Sequence, residues 1–391
     1  MKLAFVTPWY GEKIPGGAEA ELRGIIHHIQ SNTIEIEVLT TCIYSFNDNW
    51  DTNRYMEGEY IESGIKVRRF SVDKRRKKPI ERIIKKIQQK EYVTKKEETI
   101  FCERMILSPS LIEYIKMHEK EFDLFVYLPY MFSTTYIGCK LFPEKSIMIP
   151  CLHDENYAYL HSFMEVYSGI KGMIFNSEPE RILARNLFGV KGDSFKTIGI
   201  GIEQSWEGNS KRFREKYGIW DPFILYAGRK DLGKNVEQLV AYFTSYKRRC
   251  PGRLKLVLIG GGDLSSKDHN KNVIDLGYVD MQDKYDAYSA SLLFCNPSYM
   301  ESFSLVLMES WLAGRPVLVN ANCSVTKDFT IRSNGGLYYD GYAEFVQCVN
   351  YMINNPNKAN QMGEKGRKFV KENYNWNVIT KKLTDYFMQQ V

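Results

Sequence analysis

Two glutamates, Glu301 and Glu309, stand eight residues apart where an apolar run gives way to a helical pattern. The run LLFCNP (292–297) indicates a buried strand that ends in a breaker, and the helix stops at Gly314. At a rise of ~1.5 Å per residue, Glu309 lies roughly two turns into that helix. Both carboxylates can therefore face one ligand at the helix N-terminus, where free N–H groups and the positive dipole end favour a diphosphate.

The loop and helix around these glutamates carry further signals. Ser302 and Ser304 each have a hydroxyl that can cap the helix. Glu309 lies in the otherwise apolar stretch VLMESWLAG, where a carboxylate without partners is costly to bury. The strand PVLVN (316–320) follows. The segment is therefore predicted to be a strand–helix–strand unit in which the acidic side chains serve a ligand.

Two cations and two glycines follow other predicted strands. Arg229 and Lys234 come just after the strand FILYAG (223–228), and two cations there suit a diphosphate that gains negative charge as it leaves. Gly260 and Gly262 follow the apolar run LVLI directly. They are predicted to form a tight turn that also lets a nucleotide approach the backbone closely.

The N-terminal part repeats the order of strand, loop and helix. A strand (LAFVTPWY) opens the chain, its loop ends at Gly16 and Gly17, and a helix is predicted from about Ala18. Such a loop can cradle a phosphate or a sugar, with a simple turn as the alternative. A strand is predicted in the stretch SIMIPCLHDE (146–155), and His153 lies in this stretch just past the strand's carboxyl end, at the edge where α/β sheets place ligand groups.

The residues do not indicate a metal site. His153, Asp154 and Glu155 are adjacent, so on an extended chain their side chains point to opposite faces and do not converge. The sequence contains no H-x-x-x-H, C-x-x-C or D-x-D pattern to support a metal elsewhere. We therefore expect chemistry that requires no metal ion.

Length and composition are those of a soluble globular protein with two cores. The chain has 391 residues, of which 44% are hydrophobic and 26% charged. No signal peptide is indicated, and no stretch approaches the ~20 apolar residues that span a bilayer. The eight cysteines are scattered, and several lie inside apolar runs. Buried reduced thiols, and hence a cytoplasmic protein, are expected.

Strands and helices alternate along most of the chain, which predicts an α/β protein with doubly wound parallel sheets. A second strand–helix set begins after the stretch 199–210. We therefore divide the chain into a first domain (1–200), a second domain (201–375) and a final helix (376–391).

Three stretches resemble motifs of the retaining glycosyltransferases of family 4, which have the GT-B architecture. ESFSLVLMESWLAGRPV resembles E-G-F-G-L-x-x-x-E-A-x-A-x-G-x-P-V, with Ser302 and Ser304 where glycines are common. The segment GRKDLGKN (228–235) resembles the diphosphate clamp GR-x4-K-[GN], and GGAE at Gly16 resembles the opening loop. The resemblance covers most of the second domain, and the first domain only through this loop, a histidine and the strand order.

The resemblance implies a GT-B fold: two Rossmann-like domains facing a cleft, with the final helix returning to the first domain. It also implies that Glu309 binds the ribose of a nucleotide sugar, while Glu301, assisted by His153, positions the sugar. The expected catalytic residues are Glu301, His153, Arg229 and Lys234. The expected donor-binding residues are Gly16, Gly17, Gly260, Gly262, Tyr278, Val279, Ser302, Phe303, Ser304, Leu305 and Glu309.

The implied function is retaining transfer of a sugar from a UDP- or GDP-linked donor to a glycan or lipid-linked acceptor in cell-surface polysaccharide or glycoconjugate synthesis. No residue is an obvious nucleophile, so a front-face displacement is expected, with no cofactor beyond the nucleotide-sugar co-substrate. The alternatives are a GT-B nucleotide-sugar epimerase or hydrolase, a dinucleotide-dependent dehydrogenase and a non-catalytic sugar-binding protein. The dehydrogenase is disfavoured because no full G-x-G-x-x-G fingerprint is present.

Positive charge is concentrated in residues 68–98, which hold thirteen Lys or Arg and five Asp or Glu, a net +8 against +6 for the whole chain. One interpretation is a solvated insertion whose isoleucines pack on the first domain. Nucleic-acid binding is disfavoured because no such motif accompanies the charge. The hypothesis we carry forward is an interfacial helix that docks the enzyme on the inner face of an anionic membrane. Its apolar stripe would consist of Ile80, Ile83, Ile84 and Ile87.

Overall fold

The computed structural model describes residues 1–14, 16–31, 33–46, 48–50, 52–73, 77–264 and 271–391. The chain divides into two compact units. The first unit comprises Met1–Gly201 together with Ile379–Val391, and the second comprises Ile202–Val378.

The described part of the first unit contains one eight-stranded sheet. Its strands are β1 (Lys2–Thr7), β2 (Glu35–Thr41), β3 (Gly58–Glu62), β4 (Ile65–Phe70), β5 (Leu124–Tyr127), β6 (Ser146–Met148), β7 (Gly172–Phe175) and β8 (Phe195–Thr197). The order is β3-β4-β2-β1-β5-β6-β7-β8, and only the β3–β4 hairpin is antiparallel. In the register of β1, Leu3 pairs with Ile36 on one side and with Leu124 on the other. The central strands are buried on both faces, as their continuous apolar runs predict.

Helices cover this sheet, and their ends follow the local sequence. They are α1 (Gly17–Ile29), α2 (Lys77–Gln88), α3 (Lys95–Arg104), α4 (Pro109–Met117), α5 (Ser133–Leu141), α6 (His161–Tyr167) and α7 (Glu178–Phe188). In α7 the Ser177 hydroxyl accepts from the Glu180 amide, Pro179 follows at the helix start, and Gly189 ends the helix in the left-handed conformation. The strand predicted in the stretch 146–155 is shorter than expected, because only Ser146–Met148 pair and a loop follows.

The basic segment is largely part of the first unit's structure. Arg68 and Arg69 lie on β4, where Arg68 Nε is 3.2 Å from Glu37 Oε1 and the buried Arg69 donates to the Tyr10 carbonyl. In α2, Ile83 and Ile87 are buried in the hydrophobic core. The other two isoleucines of the stripe, Ile80 and Ile84, pack against the same core.

The prediction that this isoleucine stripe faces a lipid surface is therefore wrong, since the stripe covers the core of its own unit. The interpretation of isoleucines packed on the first domain is the one that the structure supports. Lys74, Arg75 and Arg76 lie outside the described residues, as do the side chains of Lys77 and Lys78.

The second unit contains a six-stranded parallel sheet in its described part. Its strands are β9 (Phe223–Ala227), β10 (Lys255–Ile259), β11 (Val273–Asp275), β12 (Leu293–Asn296), β13 (Val317–Asn320) and β14 (Gly336–Tyr339), in the order β11-β10-β9-β12-β13-β14. Its helices are α8 (Ser210–Tyr217), α9 (Val236–Arg249), α10 (Met281–Ala290), α11 (Leu305–Leu312), α12 (Ser324–Ser333), α13 (Tyr342–Asn354) and α14 (Pro356–Asn373). The carboxyl ends of neighbouring strands thus lie at one edge, where the predicted ligand-binding loops begin.

The last helix, α15 (Trp376–Gln390), contributes its residues from Ile379 onward to the first unit. Phe387 packs edge-on against Phe5 of β1, and the Tyr386 hydroxyl donates to the Ser194 carbonyl over 2.6 Å. A Cβ on Gly172 would collide with the Tyr386 hydroxyl, so the glycine makes room for this helix. The end of the chain is therefore built into the core of the first unit.

All eight cysteines are free thiols, and six of them are buried. Burial raises the pKa of several, including Cys295 and Cys151, so these thiols are poor nucleophiles. Within the described ranges, no helix combines the length and the apolar character that crossing a bilayer requires.

Candidate functional site

The segment that holds Glu301 and Glu309 forms the predicted strand–helix–strand unit. The strand β12 ends at Asn296, a loop carries Glu301, and α11 starts at Leu305. The next strand, β13, pairs in parallel with β12. The N-terminus of α11 therefore stands at the carboxyl edge of the sheet, with Glu309 in its second turn.

Ser304 occupies the N-cap position of α11, but its side chain does not cap the helix. Its hydroxyl instead accepts from the Asn296 side-chain amide over 2.9 Å. The predicted N-cap position of Ser304 is thus confirmed, but the prediction that a serine hydroxyl caps the helix is wrong. The backbone of Ser304 has φ 82 and ψ 78, a left-handed conformation that glycine adopts without strain. The backbone at this position thus adopts a conformation that glycine favours, although the residue is a serine.

Glu301 is joined to Lys234, which comes from a different loop. Lys234 Nζ lies 2.8 Å from Glu301 Oε1, and the Asn296 amide also reaches that oxygen, at 3.5 Å. Two further contacts fix the loops around this pair. Asn235, in the left-handed conformation, donates to the Pro297 carbonyl, and the Asp231 carboxylate caps the short 3-10 helix of residues 232–234. The structure therefore brings two of the predicted catalytic residues together.

Arg229 does not join this pair. Its Nε lies 3.4 Å from Asp231 Oδ2, and both side chains are about half exposed, so the pair is weak and screened by solvent. The Arg229 guanidinium can therefore leave Asp231 and bind another anion at a small cost in free energy.

The glycine-rich turn after β10 packs directly on the loop that carries the cations. Gly260 has φ 124, and a Cβ there would collide with the Gly228 carbonyl oxygen. Gly262 has φ 97, and a Cβ there would lie only 3.0 Å from the Lys230 carbonyl oxygen. The tight turn is confirmed, and its glycines are required by the neighbouring backbone. Nucleotide approach at this turn stays a prediction.

Lys230 is a residue that sequence reasoning missed. Its side chain is 1% exposed, and its ammonium donates to the Gly260 carbonyl over 2.6 Å and pairs with Asp275 at 2.9 Å. It thereby ties the cation loop to the glycine turn and to the end of β11. Nothing in the pattern GRKDLGK distinguishes this buried lysine from its exposed neighbours.

Glu309 has two partners, both on α10. Its Oε1 lies 2.7 Å from Lys284 Nζ, and its Oε2 accepts from the Tyr288 hydroxyl over 3.0 Å. Burial raises the pKa of Tyr288 well above its ordinary value, so this phenol remains a hydrogen-bond donor. These partners explain how a carboxylate is accommodated in an apolar helix, and the sequence analysis named neither.

The remaining predicted residues of the second unit differ in what they offer a ligand. Tyr278 is largely exposed, and with Val279 it lies in the loop between β11 and α10, beside the glycine turn. Phe303 is buried and packs edge-on against Phe329, so its side chain belongs to the core. Leu305 begins α11 and is partly buried.

Three of the predicted site residues belong to the first unit: Gly16, Gly17 and His153. Gly16 has φ 144 and precedes α1, which starts at Gly17, and a Cβ on Gly16 would collide with the Glu19 carboxylate. His153 lies in the partly buried loop after β6. The other twelve residues belong to the second unit.

Buried carboxyls anchor the loop that leads to His153. Glu180 accepts from the Leu152 amide over 2.6 Å, and Glu21 accepts from the Asn176 side-chain amide over 3.0 Å. The Cys151 thiol also lies 3.5 Å from Glu21. Burial raises the pKa of Glu21 to about 7 and that of Glu180 to about 8. This network joins α1, α7 and the loop before His153, and the sequence analysis did not identify it.

Among the described residues, no group of three or more His, Cys, Asp or Glu is arranged to hold a metal ion. Glu301 forms an ion pair with the ammonium group of Lys234, and Glu309 forms one with that of Lys284. The electrostatics of the second unit's site are therefore those of alternating carboxylates and cations at the carboxyl edge of the sheet.

The chain is similar to a known protein family and to solved structures. Residues 209–369 match the family model of Glycosyl transferases group 1. The sucrose-phosphate synthase of Thermosynechococcus elongatus superposes with a TM-score of 0.73 at 18% identity, covering 99% of this chain and 98% of that chain. Anabaena HepE in complex with UDP superposes with a TM-score of 0.72 at 14% identity over the whole of both chains. The fold is GT-B. The predicted fold class is thus confirmed, and the match to the family model lies within the second unit.

Curated relatives match this chain at low sequence identity. An uncharacterized glycosyltransferase of Methanocaldococcus jannaschii is 23% identical over 99% of this chain and 98% of its own length. A D-inositol 3-phosphate glycosyltransferase of Nocardia farcinica is 27% identical over 37% of this chain and 36% of its own length.

Proposed function

We propose that this protein is a retaining glycosyltransferase that moves a sugar from a nucleotide diphosphate to a glycan or lipid-linked acceptor. The observation that carries the proposal is the pairing of Glu301 with Lys234 beside the N-terminus of α11, with Glu309 in the second turn of that helix. The Lys234 ammonium and the N-terminus of α11 can bind a diphosphate, and the two carboxylates can bind the sugars on either side of it.

Lys234 and the helix end are assigned to the diphosphate, and Arg229 joins them by leaving its weak pair with Asp231. These groups stabilise the charge that builds on the diphosphate as the sugar departs. Glu301 is assigned to the hydroxyls of the transferred sugar and Glu309 to the ribose. The role of His153 beside Glu301 remains a prediction, because the two residues belong to different units.

Retention is proposed to occur by front-face displacement. Burial raises the pKa of the nearby thiol Cys323, so this thiol is a poor nucleophile. The acceptor hydroxyl would attack the anomeric carbon on the face that the diphosphate leaves, and its proton would pass to the leaving diphosphate. No metal ion is assigned a role in this scheme.

A UDP-linked sugar is the donor to test first. Solved HepE structures from Anabaena that share this fold hold UDP or UDP-glucose. A matching donor should raise the melting temperature of this protein in a thermal-shift panel of UDP, GDP and NADH, with NADH producing no shift. A shift with NADH alone would replace the proposal with a dehydrogenase.

A second assay addresses the reaction itself. The protein is incubated with a panel of UDP- and GDP-sugars without acceptor, and slow release of UDP or GDP identifies the donor. NMR of the product sugar then reports the anomeric configuration, which the proposal expects to be retained. Conversion of the donor to an isomeric nucleotide sugar would identify an epimerase instead.

Contact with an anionic membrane is proposed only in an electrostatic form, since the isoleucines of α2 are buried. Arg82, Lys85 and Lys90 are exposed, and each could add about 1 kcal/mol near a negative surface. Phosphatidylglycerol vesicles at low salt should co-sediment the protein, and replacing these three residues with serine should weaken binding. Equal binding by wild type and triple variant would remove this segment from the hypothesis.

A further inference from the structure

Lys284 and Tyr288 form one surface of α10 that faces Glu309. They stand four residues apart, which places them on the same side of the helix. Each contacts a different oxygen of the Glu309 carboxylate, Lys284 at 2.7 Å and Tyr288 at 3.0 Å. Two donors from one helix, α10, therefore fix the orientation of the Glu309 carboxylate.

This arrangement leaves half of the carboxylate's hydrogen-bonding capacity unused by the two donors. A carboxylate has about four acceptor positions, and Lys284 and Tyr288 occupy one on each oxygen. The side chains of Glu309 and Lys284 are 13% and 19% exposed, so the group is mostly desolvated yet reachable. One remaining position on each oxygen matches two vicinal hydroxyl groups.

Lys284 is itself held in place. Its ammonium lies 5.4 Å from the centre of the Tyr285 ring, and Tyr285 stacks on Trp206 with ring centres 4.1 Å apart. A cation fixed by an aromatic face and a carboxylate loses little further freedom when a ligand binds. The pair is thus organised before any nucleotide arrives.

We propose that Lys284 and Tyr288 are positioning residues that orient Glu309 to accept from both ribose hydroxyls, which makes the site selective for ribonucleotides over 2'-deoxyribonucleotides. The inference rests on the proposed function, in which Glu309 meets the ribose. A buried acceptor that loses its donor hydroxyl remains unpaired, and that penalty is the source of the discrimination.

The experiment measures the dissociation constants of UDP and 2'-deoxy-UDP, and of GDP and 2'-deoxy-GDP, by calorimetry. Wild type should prefer the ribonucleotide by about tenfold or more, the factor expected for one hydrogen bond to a charged group. Lys284→Met should reduce that preference to below about threefold, and Tyr288→Phe should reduce it partially. Lys284→Arg retains the cation and should restore most of the preference.

Lys216→Met is the matched control. Lys216 on α8 pairs at 2.6 Å with Asp283, which is on the same helix as Lys284. This ion pair joins α8 to α10 and does not touch Glu309. The control removes an ion pair of similar length and should leave the preference for the ribonucleotide unchanged. If a variant of Lys284 or Tyr288 changes the stability of the protein but not the ratio of the two dissociation constants, the replaced residue has only a structural role.

The outcomes separate this inference from the proposed function. Absence of binding by UDP and GDP to wild type would overturn the proposed function and the inference with it. Tight binding of UDP with the same ribose preference in wild type, Lys284→Met and Tyr288→Phe would overturn the inference alone. If Lys284→Met does not fold, the Lys284→Arg and Tyr288→Phe variants decide the outcome by the same ratio.

Discussion

Lys234 and Glu301 form an ion pair of 2.8 Å, although their sequence positions are 67 residues apart. The sequence analysis assigned the first to a diphosphate and the second to a sugar. Their contact means that each neutralises the other until a ligand separates or bridges them. Replacement of either one therefore also changes the electrostatic environment of its partner.

The contact predicts strong coupling between the two side chains. Lys234→Ala should cost roughly 2–4 kcal/mol of transition-state stabilisation, judged by losses of comparable charge-stabilising donors. Arg229→Ala should cost a similar amount. The double variant Lys234→Ala with Glu301→Gln should lose less than the sum of its single variants, because each single change already breaks the Lys234–Glu301 ion pair. Strict additivity in kcat/KM would contradict the coupling.

The two glutamates should differ in their kinetic effects. Glu309→Gln should mainly raise the donor KM, because a ribose contact stabilises ground and transition states alike. Glu301→Gln should mainly lower kcat, because a contact at the reacting sugar strengthens during transfer. Both expectations can be checked by steady-state kinetics with the donor that the panel of nucleotide sugars identifies. Near-normal constants in both variants would remove these residues from the site.

Activity should persist in EDTA. The proposed site uses Lys234, Arg229 and the N-terminus of α11 to stabilise the diphosphate, so a divalent ion has no assigned task. The measurement is the initial rate before and after dialysis against chelator, with a rate change of less than about twofold expected, a factor that corresponds to under ~0.5 kcal/mol. Complete loss of activity that added Mg²⁺ or Mn²⁺ restores would refute this form of the mechanism.

Lys230→Met should destabilise the second unit. The change leaves the Gly260 carbonyl and Asp275 without their buried donor, which should lower the free energy of unfolding by about 2–4 kcal/mol. The control is Arg253→Met, which removes a solvent-exposed pair with Asp221 and should cost at most about 1 kcal/mol. Urea denaturation of both variants compares them, and equal midpoints would show that Lys230 does not tie the loops together.

The first unit should lose stability as pH rises. The ordinary pKa of a glutamate is 4.5, whereas burial raises that of Glu21 to about 7 and that of Glu180 to about 8. The folded protein therefore keeps protons that the unfolded chain has released, and the free energy of unfolding falls between about pH 4.5 and 8.

Glu21→Gln tests this pH dependence, because glutamine resembles the protonated acid and can still accept from Asn176. The variant should gain about 1–3 kcal/mol relative to wild type at pH 8.5 and little at pH 5. Glu113→Gln, on the exposed side of α4, is the control and should follow the wild-type curve. A constant difference between Glu21→Gln and wild type from pH 5 to 8.5 would contradict the assignment.

Much of the fold was predictable because apolar runs and helix breakers are local signals. The strand that ends at Asn296 and the end of the following helix near Gly314 both have local causes, and both formed where predicted. The GT-B fold followed from the alternation of these elements together with the motif resemblance.

The partners of the predicted side chains were not predictable in the same way. Lys284 and Lys230 carry no sequence mark that separates them from solvent-exposed lysines, since their importance arises from contacts between distant elements. The prediction that the isoleucine stripe of α2 faces lipid was wrong for a related reason. An isoleucine stripe at helical spacing shows that a helix has an apolar side, but only the tertiary structure shows what covers it.

The attachment of α15 has a consequence for recombining this protein with its relatives. A chimera that exchanges the second unit at a single crossover near Gly201 would also import a foreign segment from Ile379 onward. That segment must fit the space beside Gly172 and the ring of Phe5. Exchange therefore needs two crossovers, one on each side of the second unit, so that residues 379–391 stay with the first unit on which they pack.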